Sequence, residues 1–169
     1  MKPDRARVLS EGLITGLIGS LLIILFYGFF NLLAGESFFS TAALLGSDLA
    51  STRRQGGAIG AALAFNGLHV VAFVAIGLVA AWLVMETEKH PSFFVVALFI
   101  GIAGMFLVLA AFLAFAASSQ AELPIGSVVV ANLLAGAGMG GYLLKAHPRL
   151  WSEIRDHLDP EEEHPAPGR

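Results

Sequence analysis

The sequence predicts an all-α integral membrane protein: a four-transmembrane-helix antiparallel bundle, with short amphipathic interfacial helices in the first outer loop and at the C-terminus. Three observations carry that prediction. Hydrophobic residues make up 56% of the chain and charged residues 14%, whereas an ordinary soluble domain holds about 45–50% and about 25%. Mean hydropathy is +0.76. The charges are also segregated, leaving uncharged runs at 12–33, 58–84, 93–117 and 125–144. Each reaches the ~20 residues that a helix needs to cross ~30 Å of hydrocarbon, and none alternates as a barrel strand does.

The first run follows the basic start "MKPDRAR". Its apolar part exceeds the ~7–15 residues of a signal-peptide core, and no small-x-small site closes it, so it reads as a retained helix. The second run is the longest and is expected to tilt or to emerge from the bilayer at one end. Between the two lies "ESFFSTAALLGSDLASTRRQGG", where Phe38, Ala42, Leu45 and Leu49 recur at helical spacing. That pattern predicts a short amphipathic helix on the membrane surface, or alternatively a cap in which Phe38 and Leu45 cover the bundle end. Arg53 and Arg54 call for a partner: Glu122, an anionic lipid or another subunit.

Residues 1–146 thus form the transmembrane domain and 147–169 a cytoplasmic tail. In the tail Pro148 suits a first helical turn, and Leu150, Trp151, Ile154 and Leu158 give one apolar side. Beyond Pro160 three glutamates followed by Pro, Ala and Gly predict disorder. Lys2, Arg5, Arg7, Lys89, Lys145, Arg149, Arg155 and Arg169 fall on one side of the predicted bundle, against Arg53 and Arg54 on the other. The positive-inside bias therefore predicts cytoplasmic N- and C-termini. Trp82, Tyr142 and Trp151 fall near the same interface, where amphipathic rings are favoured.

Composition excludes several function classes. With no cysteine there are no disulfides and no thiolate metal sites. A net charge of −3 with no basic stripe gives nucleic acid no electrostatic footprint. The helices hold no carboxylate pair or Ser–His–Asp set, so the chain reads as a non-enzyme. "GAGMGG" at 136–141 spells a dinucleotide-binding turn but lies inside a transmembrane run, where small residues serve helix packing instead. The predicted packing faces are Gly12, Gly16 and Ser20 in the first helix and Asn132, Gly136 and Gly140 in the fourth, with Gly101 and Gly104 adding small residues to the third. His147, His157 and His164 match no compact ligand spacing, so no metal is expected.

One polar pair lies deep in a run. Asn66 and His69 share a face of the second helix, and His69 falls near the bilayer centre. A neutral ring facing the bundle with a hydrogen-bond partner is expected there, and Asn132 lies at a depth that suits a bond to Asn66. Four readings of His69 follow: a polar clasp between helices, an axial ligand of haem b shared with a second chain, a relay in a proton path, or a contact to a quinone, lipid or other small ligand. The relay lacks further ionisable groups in line, and the clasp is the leading reading, with no cofactor. The function expected is a non-catalytic accessory or stabilising subunit of a larger membrane complex in the bacterial inner membrane. Its partners are membrane lipids and larger membrane proteins or further copies of itself. The alternative is a ligand or cofactor binder, or a small permease.

Overall fold

The structure is a computed structural model that describes residues 4–49, 57–90, 93, 95–96, 99–104, 106, 110, 114, 124–149 and 152. It is helical, with no strand among the described residues. The elements are α1 (Arg5–Leu33), α2 (Ser40–Leu49), α3 (Gly57–Lys89) and α4 (Ile125–Ala146). Helical residues recur at 95–96, 99–104, 106, 110 and 114. The expected helix at 93–117 lies mostly outside the described residues. So do Arg53, Arg54, Glu122 and Trp151, the acidic end and most of the tail helix, of which 148, 149 and 152 are described as helical.

Helices α1, α3 and α4 have 29, 33 and 22 residues and are long and apolar enough to cross a membrane. At ~1.5 Å per residue α1 and α3 measure roughly 44 and 50 Å, well beyond the ~30 Å of hydrocarbon. The excess lies largely at one end. There α1 starts before its uncharged run, at an Asp4 cap whose carboxylate accepts from the Ala6 amide at 3.1 Å, and α3 continues to Lys89. Charge marks the edge of the apolar run rather than the end of the helix.

The other end of α1 stops in a tight turn. Gly35 takes φ +78, and the Glu36 amide donates to the Asn31 carbonyl at 2.9 Å. This is a Schellman closure, in which the residue after the cap must enter the left-handed region. The chain then turns back, and Asn31 secures it: its amide donates to the Phe38 carbonyl at 3.1 Å and its carbonyl oxygen accepts from the Thr41 hydroxyl at 2.7 Å. The Phe38 ring fills the space left by Gly28. Helix α2 follows and packs chiefly on α3, with Leu45 buried and Gly46 set against the Ala61 backbone.

Helix α1 is the hub, because both α3 and α4 pack along it while touching each other little. Gly12 approaches Leu78 and Gly16 approaches Val74, so α1 and α3 run antiparallel. A Cβ on Gly12 would lie 2.6 Å from the Leu78 Cα, so only glycine permits this crossing. Gly138 of α4 meets Leu22, and Met139 meets Gly19, so α4 also runs against α1. The shared core is Ile23, Phe73, Ala131, Ala135 and Met139. Since α3 and α4 are both antiparallel to α1, they are parallel to each other. The end of α3 and the start of α4 therefore stand at opposite ends of the bundle.

Candidate functional site

Two polar constellations stand out, one at each end. The first is at the charged end, where α1 begins and α3 and α4 finish. His147 follows the last residue of α4, and its amide donates to the Leu143 carbonyl at 2.9 Å. The peptide unit thereby closes the helix, and the side chain points into the bundle with 0% exposure. Its Nε2 lies 2.6 Å from Glu11 Oε2 on α1. Its Nδ1 lies 2.9 Å from Glu88 Oε1 on α3, close but off the line of a good hydrogen bond. The other oxygen of Glu11 accepts from Arg7 Nε at 2.6 Å. One residue from each of three helices therefore meets at a single imidazole.

Glu11 is thus held from two sides, by the Arg7 guanidinium and by the imidazole. Charges out of water are tolerable only when paired and bonded in this way. The side chains of Glu11 and Glu88 retain 12% and 23% exposure, so the cluster sits at the rim of the apolar zone and not within it. Thr15 and Thr87, buried beside it, turn their hydroxyls back to the carbonyls of Glu11 and Leu83. No group of three candidate metal ligands occurs among the described residues, and the carboxylates converge on the ring, not on an open point.

The second constellation is at the hairpin end. His69 lies on α3 between two aromatic rings, its centroid 5.6 Å from Phe65 and 4.9 Å from Phe73. Phe65, His69 and Phe73 are successive i, i+4 neighbours, which is why the three rings form a column. The Nε2 atom of His69 is buried with no hydrogen-bond partner among the described residues, and so is the Tyr27 hydroxyl on α1. Ser127 is the polar neighbour of that hydroxyl on α4; its own hydroxyl donates to the Pro124 carbonyl at 2.7 Å, which leaves its oxygen able to accept. Tyr27 and His69 line one cavity of about 40 Å³ together with Asn31, Phe38, Thr41 and Asn66. A larger cavity of about 160 Å³, between α2 and the start of α3, shares Phe39 and Asn66 with it.

Sequence-predicted residues are only partly brought together. The expected bond between Asn66 and Asn132 is not made: the Asn132 amide donates to the Val128 carbonyl of its own helix at 2.8 Å. The physical reason is the arrangement around α1, which keeps α3 and α4 apart. The partner expected for His69 is likewise missing among the described residues. Gly12 and Gly16 lie in the α1–α3 crossing and Ser20 is buried. On α4 the face buried against α1 is Val128, Ala131, Ala135, Met139 and Leu143, with nothing among the described residues within contact of Gly136 or Gly140. Sequence reading missed the Glu11–His147–Glu88 cluster, although all three lie on the same predicted side at run edges. It also missed Asn31, a lone amide near the end of an apolar run.

The fold and its two polar ends define a helical bundle with three membrane-length helices, consistent with a multi-pass membrane protein. No protein-family model, curated protein or solved structure matches the chain.

Proposed function

We propose that this chain is a non-catalytic accessory or stabilising subunit of a larger membrane complex in the bacterial inner membrane. It crosses the bilayer four times, with both termini in the cytoplasm, α2 lying at the outer interface and a second interfacial helix in the tail. The observation that carries the proposal is the commitment of the charged groups near the bundle. Arg7, Glu11, His147 and Glu88 cluster together, and among the described residues no ionisable pair marks a path through the apolar zone. Transport and catalysis both need polar groups free to meet a substrate. What the bundle offers outward is apolar: Leu63, Leu68 and Val71 on α3, and Val130, Leu133 and Leu134 on α4.

The four-span count draws support from connectivity. Residues 91–123 join opposite ends of the bundle and include the uncharged run 93–117. The charged end, with its Lys89, Lys145 and Arg149, then faces the cytoplasm. The test is extraction in mild detergent and identification of what is retained. Stoichiometric larger membrane proteins support the proposal, and a partner-free chain with a reproducible transport or catalytic activity overturns it.

A second reading, a membrane binder of a small ligand, is favoured by one specific observation. An unpartnered polar atom in apolar surroundings costs several kcal/mol, and the hairpin end holds two of them in residues lining one cavity. A haem macrocycle is far larger than about 40 Å³, so among ligands a small polar head group is the better fit.

A further inference from the structure

We propose that the hollow between α2 and the start of α3 is a seat for one acyl chain of a membrane phospholipid, taken from the leaflet at the hairpin end. The inference rests on the bilayer placement proposed above and adds a ligand to it. The hollow measures about 160 Å³ and is bounded by Phe39 and Ala43 on the α2 side and by Ala58, Ile59, Leu63 and Asn66 on α3.

Two anchors hold it open. At its start α2 is tied to α1, where Asn31 bonds the Phe38 carbonyl and the Thr41 hydroxyl and the Phe38 ring fills the space beside Gly28. At Gly46 it meets the Ala61 backbone of α3 closely. Ala43 and Ala58, each about one turn before that contact on its own helix, border the hollow, and with such small side chains the two helices leave a wedge between them. Fixed at both ends, α2 cannot settle onto α3 to close it. Ile59 and Leu63 in the wall are 77% and 68% exposed, so the hollow opens sideways onto the surface that faces lipid.

Depth decides what can enter. Gly12 packs on Leu78 and Gly16 on Val74, a register that sets Asn66 level with Ile24 and Ala58 level with Leu32; Ile24 and Asn66 do border one cavity. With Glu11 at the rim of the apolar zone, ~30 Å of hydrocarbon covers ~20 residues of α1 and ends near Asn31. The hollow therefore begins at the edge of the hydrocarbon, beside Ala58, and reaches roughly 12 Å down to Asn66. Its wall holds no Asp, Glu, Lys or Arg. Ser37 and Asn66 put the polar groups at its two ends with apolar wall between them, which suits a chain lying along α3 with its head group at the interface. Lipid tails are as apolar as leucine, so burial from water gives no drive. The drive is the void itself: an empty wall forfeits dispersion contacts, and a chain that fills it regains them. A void of ~150 Å³ admits benzene, so this one takes about six carbons of the chain.

The test uses the full chain in vesicles of phosphatidylethanolamine and phosphatidylglycerol that carry a trace of phosphatidylcholine with a diazirine either at mid-chain or on the head group. The mid-chain probe is expected to label residues 58–66 about fivefold more than residues 129–134 of α4, whose exposed face meets ordinary lipid. That excess should disappear in Ala43→Leu and in Ala58→Leu, where a larger side chain occupies the hollow. Because a variant can fail to fold, native mass spectrometry of the wild-type chain in mild detergent is the second readout, and one phospholipid retained per chain is expected. Equal labelling of α3 and α4, an excess that both variants leave unchanged, or a wild-type chain that retains no phospholipid overturns the proposal. Labelling of 58–66 by the head-group probe and not by the mid-chain probe means that the hollow lies above the hydrocarbon, and the bilayer placement then fails with it. Labelling of α4 with none at 58–66 from either probe means that residues 50–56 or a second copy of the chain fills the hollow, so that the placement stands and the lipid seat fails.

Discussion

His147 Nε2 lies 2.6 Å from Glu11 Oε2, although the two residues are 136 positions apart in the chain. That contact ties the end of α4 to the start of α1, and Glu88 adds the end of α3 from the opposite side of the ring. His147→Ala leaves Glu88 without its contact on α4 and Glu11 with Arg7 alone, and is expected to cost about 1–3 kcal/mol of stability, below the full buried-pair penalty because both carboxylates keep some water contact. Glu11→Gln should cost less, since a neutral amide still bonds the ring. In a double-mutant cycle the pair should show a coupling of about 1–3 kcal/mol. Unfolding in detergent by SDS titration measures all three, and additive effects would mean that the contact does not hold the helices.

The hairpin end should respond locally. Asn31→Ala removes both bonds that fix the turn into α2 and leaves the Thr41 hydroxyl and the Phe38 carbonyl without their partner. The expected cost is about 1–2 kcal/mol, with faster amide exchange in α2 and unchanged protection in α4. Hydrogen exchange read by mass spectrometry separates this local loosening from global destabilisation.

Glycines at the α1–α3 crossing should tolerate no side chain. A Cβ on Gly16 would strike Val74, and one on Gly77 would strike the Gly12 carbonyl. Backbone atoms cannot move aside as flexible side chains do. Gly16→Ala and Gly77→Ala are therefore each expected to destabilise by about 1–3 kcal/mol through overpacking, despite the roughly 1 kcal/mol that alanine gains over glycine inside a helix. A stabilised variant in the same SDS titration would show that the helices do not cross this closely.

Orientation is open to labelling because the chain has no cysteine of its own. Ser37 and Ser152 are both exposed. A membrane-impermeant maleimide should label Ser37→Cys in intact cells and Ser152→Cys only after permeabilisation. The reverse pattern would overturn the cytoplasmic assignment of both termini.

The bundle was legible in the sequence because hydrocarbon imposes a length and forbids charge. The runs at 12–33, 58–84 and 125–144 became α1, α3 and α4. What the runs did not convey was how far the helices continue past the apolar zone. The extensions carry the i, i+4 pair Arg7–Glu11 and the pair Glu86–Lys89, which support helix in water as well as in lipid. The charged cluster was hidden for a related reason. Glu11 and Glu88 lie at or just beyond the ends of runs, and His147 was weighed only against the other tail histidines, whose spacing suits no metal. Its true partners are remote in sequence, and only the shared side of the bundle links them. His69 was visible as an anomaly, but that it lacks a partner among the described residues could not be read, since the order of helices around α1 is not encoded in any local period.

An accessory role in a larger assembly can be read by isolating the chain in native-membrane nanodiscs and measuring the mass and composition of each particle. Particles holding larger membrane proteins at fixed stoichiometry are expected, with a reduced yield of them for His147→Ala, in which the helix ends separate. Particles holding this chain alone, with a transport or catalytic activity that survives purification, would contradict it.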